Sequence, residues 1–212
     1  IVGRTNVEVT EPFWFRDEFN EDSLGRYPTL WWALISTRPT VSDGKMLLTG
    51  GYSRGIRLQV CNDKIIDGYI SCKLSRSNFD DNVGLAIYST GDVSSGDTYT
   101  PSGQDIFFGF RHAYPSDYHI YGTKVSSRYG SIPDYTYEDE VEFKIEIDDY
   151  IYKFYVNGTL VYTTPDQIFD IGNRLVLSFG RYNPGALTVD DLQITGTRVY
   201  NKPIHRGAML ET

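Results

Sequence analysis

Residues 141–162 have the pattern of two consecutive β-hairpins. Apolar and charged residues alternate from Val141 to Asp148, which places apolar side chains on one face of a strand and charges on the other. Asp148-Asp149 predicts a turn, and the alternation resumes at Tyr152. Asn157-Gly158 supplies two residues that tolerate positive φ, which is the strongest short-range hairpin signal. The segment therefore predicts antiparallel β structure, with its acidic residues on a solvated strand face.

The rest of the chain predicts more short strands separated by turns rich in Gly, Asn, Asp and Pro. No window carries a helical apolar stripe, and 212 residues suit a single all-β domain. Many short strands of this kind predict a sandwich or a barrel. The predicted strands cover residues 45–48, 56–60, 69–74, 83–88, 106–110, 175–179, 187–194 and 197–200.

Two polar segments and both ends lack this alternation. Residues 89–104 and 113–133 predict long loops, which on a rigid β scaffold are where ligands usually bind. We predict one domain over residues 13–200, an N-terminal extension over 1–12 and a C-terminal tail over 201–212. The extension and the tail are expected to be able to reach a neighbouring subunit.

The charge of the chain limits its partners. The net charge is −8 and no block of like charges occurs, so nucleic acid and anionic membranes are not expected partners. No apolar run is long enough to span a bilayer, so membrane insertion is not expected either. The two cysteines, Cys61 and Cys72, could form a disulfide if their strands are neighbours, or could remain two free thiols.

Three motifs together carry a resemblance to a known family. Residues 15–20, followed by Ser23-Leu24 and Trp31, resemble its opening motif; residues 67–74 and 83–88 resemble its central strand pair; residues 189–194 resemble its closing strand. In this order they resemble the concanavalin A-like, laminin-G-like jelly roll. The resemblance implies an all-β fold of two antiparallel sheets packed face to face, one of them concave. This fold serves lectins, carbohydrate-binding modules, glucanases, polysaccharide lyases, adhesion modules and phage fibre domains.

The same resemblance implies a structural calcium ion. In many relatives the aspartate of the closing strand helps to hold Ca²⁺, and Asp190 occupies that position here. Asp17 or Glu18 and a carbonyl of Gly50 or Gly51 are the expected co-ligands, since Ca²⁺ prefers hard oxygen donors. The alternative is that Asp190 only caps a turn or pairs with an arginine. No other cofactor is expected.

Catalytic patterns are incomplete in the sequence. A glucanase of this fold needs carboxylates in a Glu-x-Asp-x-(x)-Glu pattern, which Glu146-Ile147-Asp148 begins without the second Glu. A lyase needs a Tyr or His base beside a cation, and such residues cluster at Arg111, His112, Tyr114, Tyr118 and His119. The alternative is loop histidines without shared geometry. We predict that the chain is not an enzyme and keep a polysaccharide lyase or hydrolase as a third hypothesis.

Glycan binding requires exposed aromatic faces beside planar polar side chains. Trp31 and Trp32 are adjacent, so in a strand they point to opposite faces, and Trp32 is the stronger ligand candidate. The alternative is an aromatic-rich loop that packs on itself or on another copy of the chain. The predicted ligand-binding residues are Trp32, Arg111, Tyr114, Tyr118, Tyr121, Arg128 and Tyr129.

Two functional predictions follow from these patterns. The first is a non-catalytic glycan-recognition, lectin-like or adhesion domain of a secreted, surface or phage-fibre protein. The second is a structural subunit of a virion or surface filament, which would form a homo-oligomer or assembly through its termini. Both predict an extracellular, cell-surface or virion location.

Overall fold

The computed structural model describes residues 5–21, 29–32, 40–50, 56–61, 64–76, 82–88, 104–111, 114, 116–136, 139–169, 171, 174–180 and 185–204. Within these ranges every regular element is a strand, and no helix has the length and hydropathy of a membrane span. The strands are β1 (Thr5–Asp17), β2 (Thr29–Trp32), β3 (Thr40–Ser42), β4 (Lys45–Gly50), β5 (Ile56–Cys61), β6 (Lys64–Arg76), β7 (Asn82–Tyr88), β8 (Ile106–Phe110), β9 (Asp117–Tyr121), β10 (Arg128–Ser131), β11 (Val141–Asp148), β12 (Ile151–Val156), β13 (Thr159–Thr163), β14 (Arg174–Gly180) and β15 (Gly185–Ile204).

The strands form two antiparallel sheets. The first has the order β13-β12-β11-β6-β15-β4-β3, and β1 also pairs with β15. The second has the order β10-β9-β8-β7-β14-β5-β2. This arrangement confirms the predicted all-β sandwich of two antiparallel sheets.

The core lies between the two sheets and is rich in phenylalanine. Phe108 of β8 packs edge-to-face against Phe143 of β11 and Phe154 of β12, with ring centroids 5.2 Å apart in both pairs. All three rings are fully buried. Burying each ring contributes roughly 1.5–3 kcal/mol, so these contacts across the sandwich hold the sheets together.

The two predicted hairpins are confirmed. β11 pairs with β12 and β12 with β13, and the second turn is made by Asn157 and Gly158 at φ 47° and 75°. On the solvated face of β11, Lys153 pairs with Glu146 at 3.3 Å and with Asp148 at 2.9 Å. Glu146 and Asp148 therefore lie on a strand face, in ion pairs with lysine.

The prediction of a long loop over residues 113–133 is wrong. This segment contains the β9–β10 hairpin, in which Tyr129 pairs with His119 and Gly130 with Tyr118. Gly130 leaves room for the Tyr118 side chain, because a Cβ there would lie 2.6 Å from the Tyr118 hydroxyl and the tyrosine would have to move. The other predicted loop, over 89–104, lies outside the described residues except for Gln104.

The two ends of the described chain pair with each other. β1 and β15 form a continuous antiparallel ladder from Thr5 opposite Ile204 to Asp17 opposite Leu192. The boundaries predicted near residues 12 and 200 therefore fall inside strands. Contact of these segments with a neighbouring subunit stays a prediction.

The cysteines lie in different sheets. Cys61 ends β5 in the second sheet, whereas Cys72 lies in β6 of the first, so the neighbouring strands that a disulfide would need are not present. Cys72 is a free, fully buried thiol, and burial raises its pKa. The side chain of Cys61 lies outside the described residues.

Candidate functional site

The second sheet has an outward face that carries its own apolar cluster. In β8, Ile106, Phe108 and Phe110 point into the core, whereas Phe107 points the other way, as strand alternation requires. Phe107 is nevertheless fully buried, together with Ala86. The Tyr121 ring covers it, with centroids 4.7 Å apart. This face is therefore built to hold aromatic side chains.

An arginine lies between two exposed tyrosine rings at the edge of this face. The Arg111 guanidinium is 3.8 Å from the ring centroid of Tyr114 and 4.0 Å from that of Tyr129. Tyr114 and Tyr129 are 49% and 62% exposed, respectively. Cation–π contact with both rings fixes them relative to each other. We call Arg111, Tyr114 and Tyr129 the Arg111 platform.

Asp117 fixes the arginine of the platform. Its Oδ2 lies 3.3 Å from Nη1 of Arg111, and its Oδ1 accepts a hydrogen bond of 3.3 Å from the Ser131 hydroxyl. The Arg111 amide also donates to the Asp117 carbonyl at 2.9 Å. The guanidinium charge is thus compensated, and its position is set before any ligand arrives.

A second arginine supports the platform from inside the sandwich. Arg76, at the end of β6, is 1% exposed and lies over the Phe110 ring at 4.4 Å. Its Nη1 donates to the Arg111 carbonyl at 3.1 Å and its Nη2 to the Tyr114 carbonyl at 2.8 Å. The sequence analysis missed this residue, although Cys72 and Leu74 set an inward alternation that Arg76 continues.

His119 lies on the same outward face, beside the platform. Its ring is 4.4 Å from the Tyr121 ring, and its Nε2 shares a hydrogen bond of 2.9 Å with the Ser127 hydroxyl. Burial, assisted by the Arg111 charge, lowers the pKa of His119 to about 4. The imidazole is therefore neutral at neutral pH and offers hydrogen-bonding groups without charge.

The structure divides the predicted ligand residues between two faces. Arg111, Tyr114, Tyr121 and Tyr129 belong to the outward face. Tyr118 and Arg128 do not, because residues one position apart in a strand point to opposite faces.

Tyr118 and Arg128 face the core side of the β9–β10 hairpin. The Tyr118 ring packs edge-to-face on Phe108 at 6.3 Å, and the Arg128 guanidinium lies 5.7 Å from the Tyr162 ring. Of Tyr118 and His119, only His119 therefore shares the outward face with Arg111. His112 and the side chain of Trp32 lie outside the described residues.

Two of the predicted calcium ligands, Gly50 and Asp190, are too far apart to share one ion. Gly50 pairs with Gly185, which is roughly 17 Å along β15 from Asp190 at about 3.3 Å per residue. The carboxylate of Asp17 is buried and accepts a hydrogen bond from the amide of Phe19 at 2.9 Å. Among the residues that the structure describes, no three His, Cys, Asp or Glu side chains group to hold a metal.

Cationic side chains are present near the closing-strand aspartates instead. Asp191, next to Asp190, lies 3.1 Å from the Arg16 guanidinium and 3.7 Å from the Lys73 ammonium. Burial raises the pKa of Asp190. Calcium binding stays a prediction.

Comparison with known proteins gives matches at the level of structure. No family model and no curated protein matches the chain. A laminarinase from Flavobacterium sp. UMI-01 is similar with a TM-score of 0.60 and 14% identity, over 88% of this chain and 98% of that one. A β-glucanase from Bacillus licheniformis has a TM-score of 0.60 and 15% identity, over 86% and 97%. A Bacillus subtilis protein of unknown function with a galectin-like fold has a TM-score of 0.62 and 14% identity, over 92% and 99%.

These matches correct the prediction that the chain is not an enzyme. Several of the similar structures are laminarinases or other glycoside hydrolases, so the fold itself gives no ground for excluding catalysis. The prediction was wrong because it relied on carboxylate spacing in the linear sequence. The pairs it tested, such as Glu146 and Asp148, lie in β11 of the first sheet, away from the Arg111 platform on the second.

At identities below 20% these similarities concern the fold. They agree with the two-sheet topology described above and with the resemblance carried by the sequence motifs. The chain has the concanavalin-like jelly-roll fold, which it shares with glucanases and with a galectin-like protein.

Proposed function

We propose that this domain binds a polysaccharide on the outward face of its second sheet, with the Arg111 platform as the main contact. The observation that carries the proposal is a pair of exposed tyrosine rings held by one compensated guanidinium. Sugar rings present CH groups that pack on aromatic faces and hydroxyl groups that need fixed hydrogen-bonding partners. The platform and His119 supply both.

Preorganisation supports this proposal. Ordering a rotamer-rich side chain on binding costs about 0.5–1.5 kcal/mol, and here that cost falls largely on folding. Asp117 holds Arg111, and the Arg76 guanidinium holds the backbone that carries Arg111 and Tyr114. A ligand therefore meets a site whose aromatic and polar groups already have their positions.

The charges favour a neutral polysaccharide. Asp117 compensates Arg111, His119 is uncharged at neutral pH, and the whole chain carries a net charge of −8. An acidic glycan would therefore find little uncompensated positive charge here. The names of the similar laminarinases and β-glucanases point to β-glucans as the first ligands to test.

Titration calorimetry with laminarin and with a mixed-linkage β-glucan tests the proposal. We expect Tyr129→Ala to weaken binding roughly tenfold, since an aromatic contact is worth about 0.5–1.5 kcal/mol beyond its buried area. Arg128→Met is the matched control, because Arg128 lies on the opposite face of the same hairpin. Folded protein that binds no neutral polysaccharide, or equal loss in both variants, would contradict the proposal.

Glycan hydrolysis is the second candidate, and the fold shared with laminarinases favours it. Hydrolysis would need two carboxyl groups about 5–9.5 Å apart beside the bound sugar. Asp117, the carboxylate next to the platform, already pairs with Arg111. Release of reducing ends from laminarin by the purified protein tests this candidate. Sustained turnover would establish it, and binding without turnover would leave recognition alone.

A further inference from the structure

The opposite side of the sandwich carries a groove beside an exposed tryptophan. Trp14 of β1 is 69% exposed, and Arg16 follows two residues later on the same strand face. The groove between this face and the turn after β1 has a volume of about 430 Å³. That volume is within the range of small-ligand sites, about 300–1,000 Å³. The lining residues are Trp14, Arg16, Asp17, Glu18, Phe19, Asn20 and Glu21.

The core fixes the wall of this groove. Phe19 has φ 50° and a fully buried side chain, so the chain turns sharply while the ring stays anchored in the core. Oδ1 of Asp17 accepts a hydrogen bond of 2.9 Å from the Phe19 amide and closes the turn. The groove is therefore a built feature of the fold.

The polar side chains of the groove hold one another in place. Nη2 of Arg16 lies 2.7 Å from the Glu18 carboxylate, and Nε of Arg16 donates to Asp191 at 3.1 Å. Nδ2 of Asn20 donates to the second Glu18 oxygen at 3.0 Å. Guanidinium, carboxylate and amide groups thus stand in fixed positions beside the indole ring.

We propose that this groove is a second glycan-binding site, specific for a neutral sugar. The proposal rests on the proposed function, because it gives the same class of ligand a second contact. The exposed Trp14 face offers a stacking surface, and Arg16, Glu18 and Asn20 offer hydrogen bonds to hydroxyl groups. Acidic side chains outnumber basic ones in the lining, so an acidic glycan is disfavoured.

The two sites lie on opposite faces of the sandwich. The groove is on the first sheet, beside β1, and the Arg111 platform is on the second, beside β9 and β10. A short oligosaccharide can therefore occupy only one site at a time, and each domain can bind two oligosaccharide molecules. A long polysaccharide can meet both faces or link two domains, so its apparent affinity rises through multivalency.

NMR detection of the tryptophan indole N–H groups tests the proposal, with a β-1,3-linked glucose hexasaccharide as the probe. Trp14→Phe assigns the Trp14 signal, and the exposed position of Trp14 means that this variant keeps the fold. We expect the Trp14 signal to shift on titration, both in the natural sequence and in Tyr129→Ala. Calorimetry should give two sites per chain, and one in Trp14→Ala.

The outcomes separate the two proposals. If the hexasaccharide binds at the Arg111 platform while the Trp14 signal stays fixed, the second site does not exist and the proposed function stands. If the Trp14 shift disappears in Tyr129→Ala, there is one site and the inference is wrong. If the hexasaccharide binds at neither face, both proposals fail for this ligand class. An equal Trp14 shift with a polygalacturonate oligomer would refute the specificity for neutral sugars.

Discussion

Arg76 and Arg111 both contribute to residues 111–114, but in different ways. Arg76 is buried, lies over Phe110 and donates to the carbonyls of Arg111 and Tyr114 from inside the sandwich. Arg111 lies on the outside, between two tyrosine rings, and is held by Asp117. Both are cations over aromatic rings, yet one supports the backbone and the other forms the surface that a ligand would meet.

Both arginines contact aromatic rings, so the difference between them comes from burial. Burial decides whether an arginine contributes mainly to stability or to a binding surface. Removing the buried Arg76 takes two charge-assisted hydrogen bonds and a cation–π contact out of the interior. Removing Arg111, which is partly exposed, leaves two tyrosine rings that water already reaches. Substitutions at Arg76 should therefore act mainly on stability, and substitutions at Arg111 mainly on binding.

The largest expected effect is that of Arg76→Met. The substitution removes two hydrogen bonds from a charged donor, worth roughly 1.5–3 kcal/mol each, so the free energy of unfolding should fall by about 3 kcal/mol, although both carbonyls keep a backbone amide donor. Urea denaturation measures this change. Arg76→Lys keeps the charge but not the planar guanidinium. Its free energy of unfolding should lie between those of the unsubstituted protein and Arg76→Met. A loss below about 1 kcal/mol in Arg76→Met would remove the contrast between the two arginines.

Arg111→Met should change binding more than stability. We expect the Kd for laminarin to rise roughly tenfold, which corresponds to about 1.4 kcal/mol. The free energy of unfolding should change by about 1 kcal/mol or less, because the Arg111–Asp117 pair is partly solvated. Calorimetry and urea denaturation on the same preparation measure the two effects. A larger effect on stability than on affinity would make Arg111 a structural residue like Arg76.

His119 should make stability depend on pH. Its pKa is about 4 in the folded protein against an ordinary 6.5, so the unfolded chain takes up the proton first. The stability it contributes is full above pH 6.5 and is lost as pH falls towards 4. Because the side chain is only half-buried, we expect about 1 kcal/mol. Urea midpoints at pH 7 and 5 should differ less in His119→Gln than in the natural sequence; equal differences would show that His119 titrates normally.

The smallest effect is expected for Glu146→Gln, on the first sheet far from the platform. Its ion pairs with Lys144 and Lys153 are partly exposed, so the free energy of unfolding should change by about 0.5 kcal/mol or less. Binding to laminarin should stay unchanged. If this substitution abolished binding or turnover, the β11 carboxylates would belong to a site, and the platform would not be the principal contact.

The sequence predicted the fold well where the two faces of a strand differ in chemistry. In β11 and β12, charged and apolar residues alternate, and Asn157-Gly158 marks the turn, so the hairpins could be read directly. In β9, Tyr118 and Ile120 face the core, while His119 and Tyr121 face outward over a second apolar cluster. Aromatic residues on both faces conceal the period of two, and the hairpin was mistaken for a loop.

Only part of the candidate site was predicted, because composition does not show which face of a strand a residue occupies. Arg111, Tyr114 and Tyr129 were selected by composition, and the structure brings them together. Tyr118 and Arg128 were selected by the same criterion but face the core side. Composition cannot separate the faces of a strand whose register is unknown. Arg76 comes from the other sheet, so its contact with this segment depends on the packing of the two sheets.

The β1–β15 ladder determines how the domain would respond to mechanical load. Thr5 lies opposite Ile204, so a force that separates these two residues acts on the first rung of the ladder. The inter-strand hydrogen bonds are perpendicular to the strands, so a force that pulls the two strand ends apart acts along these bonds. The residue pairs would therefore separate one after another and not all at once. We therefore expect the strand pair to peel apart at low tension from residues 5 and 204, before the sandwich itself yields.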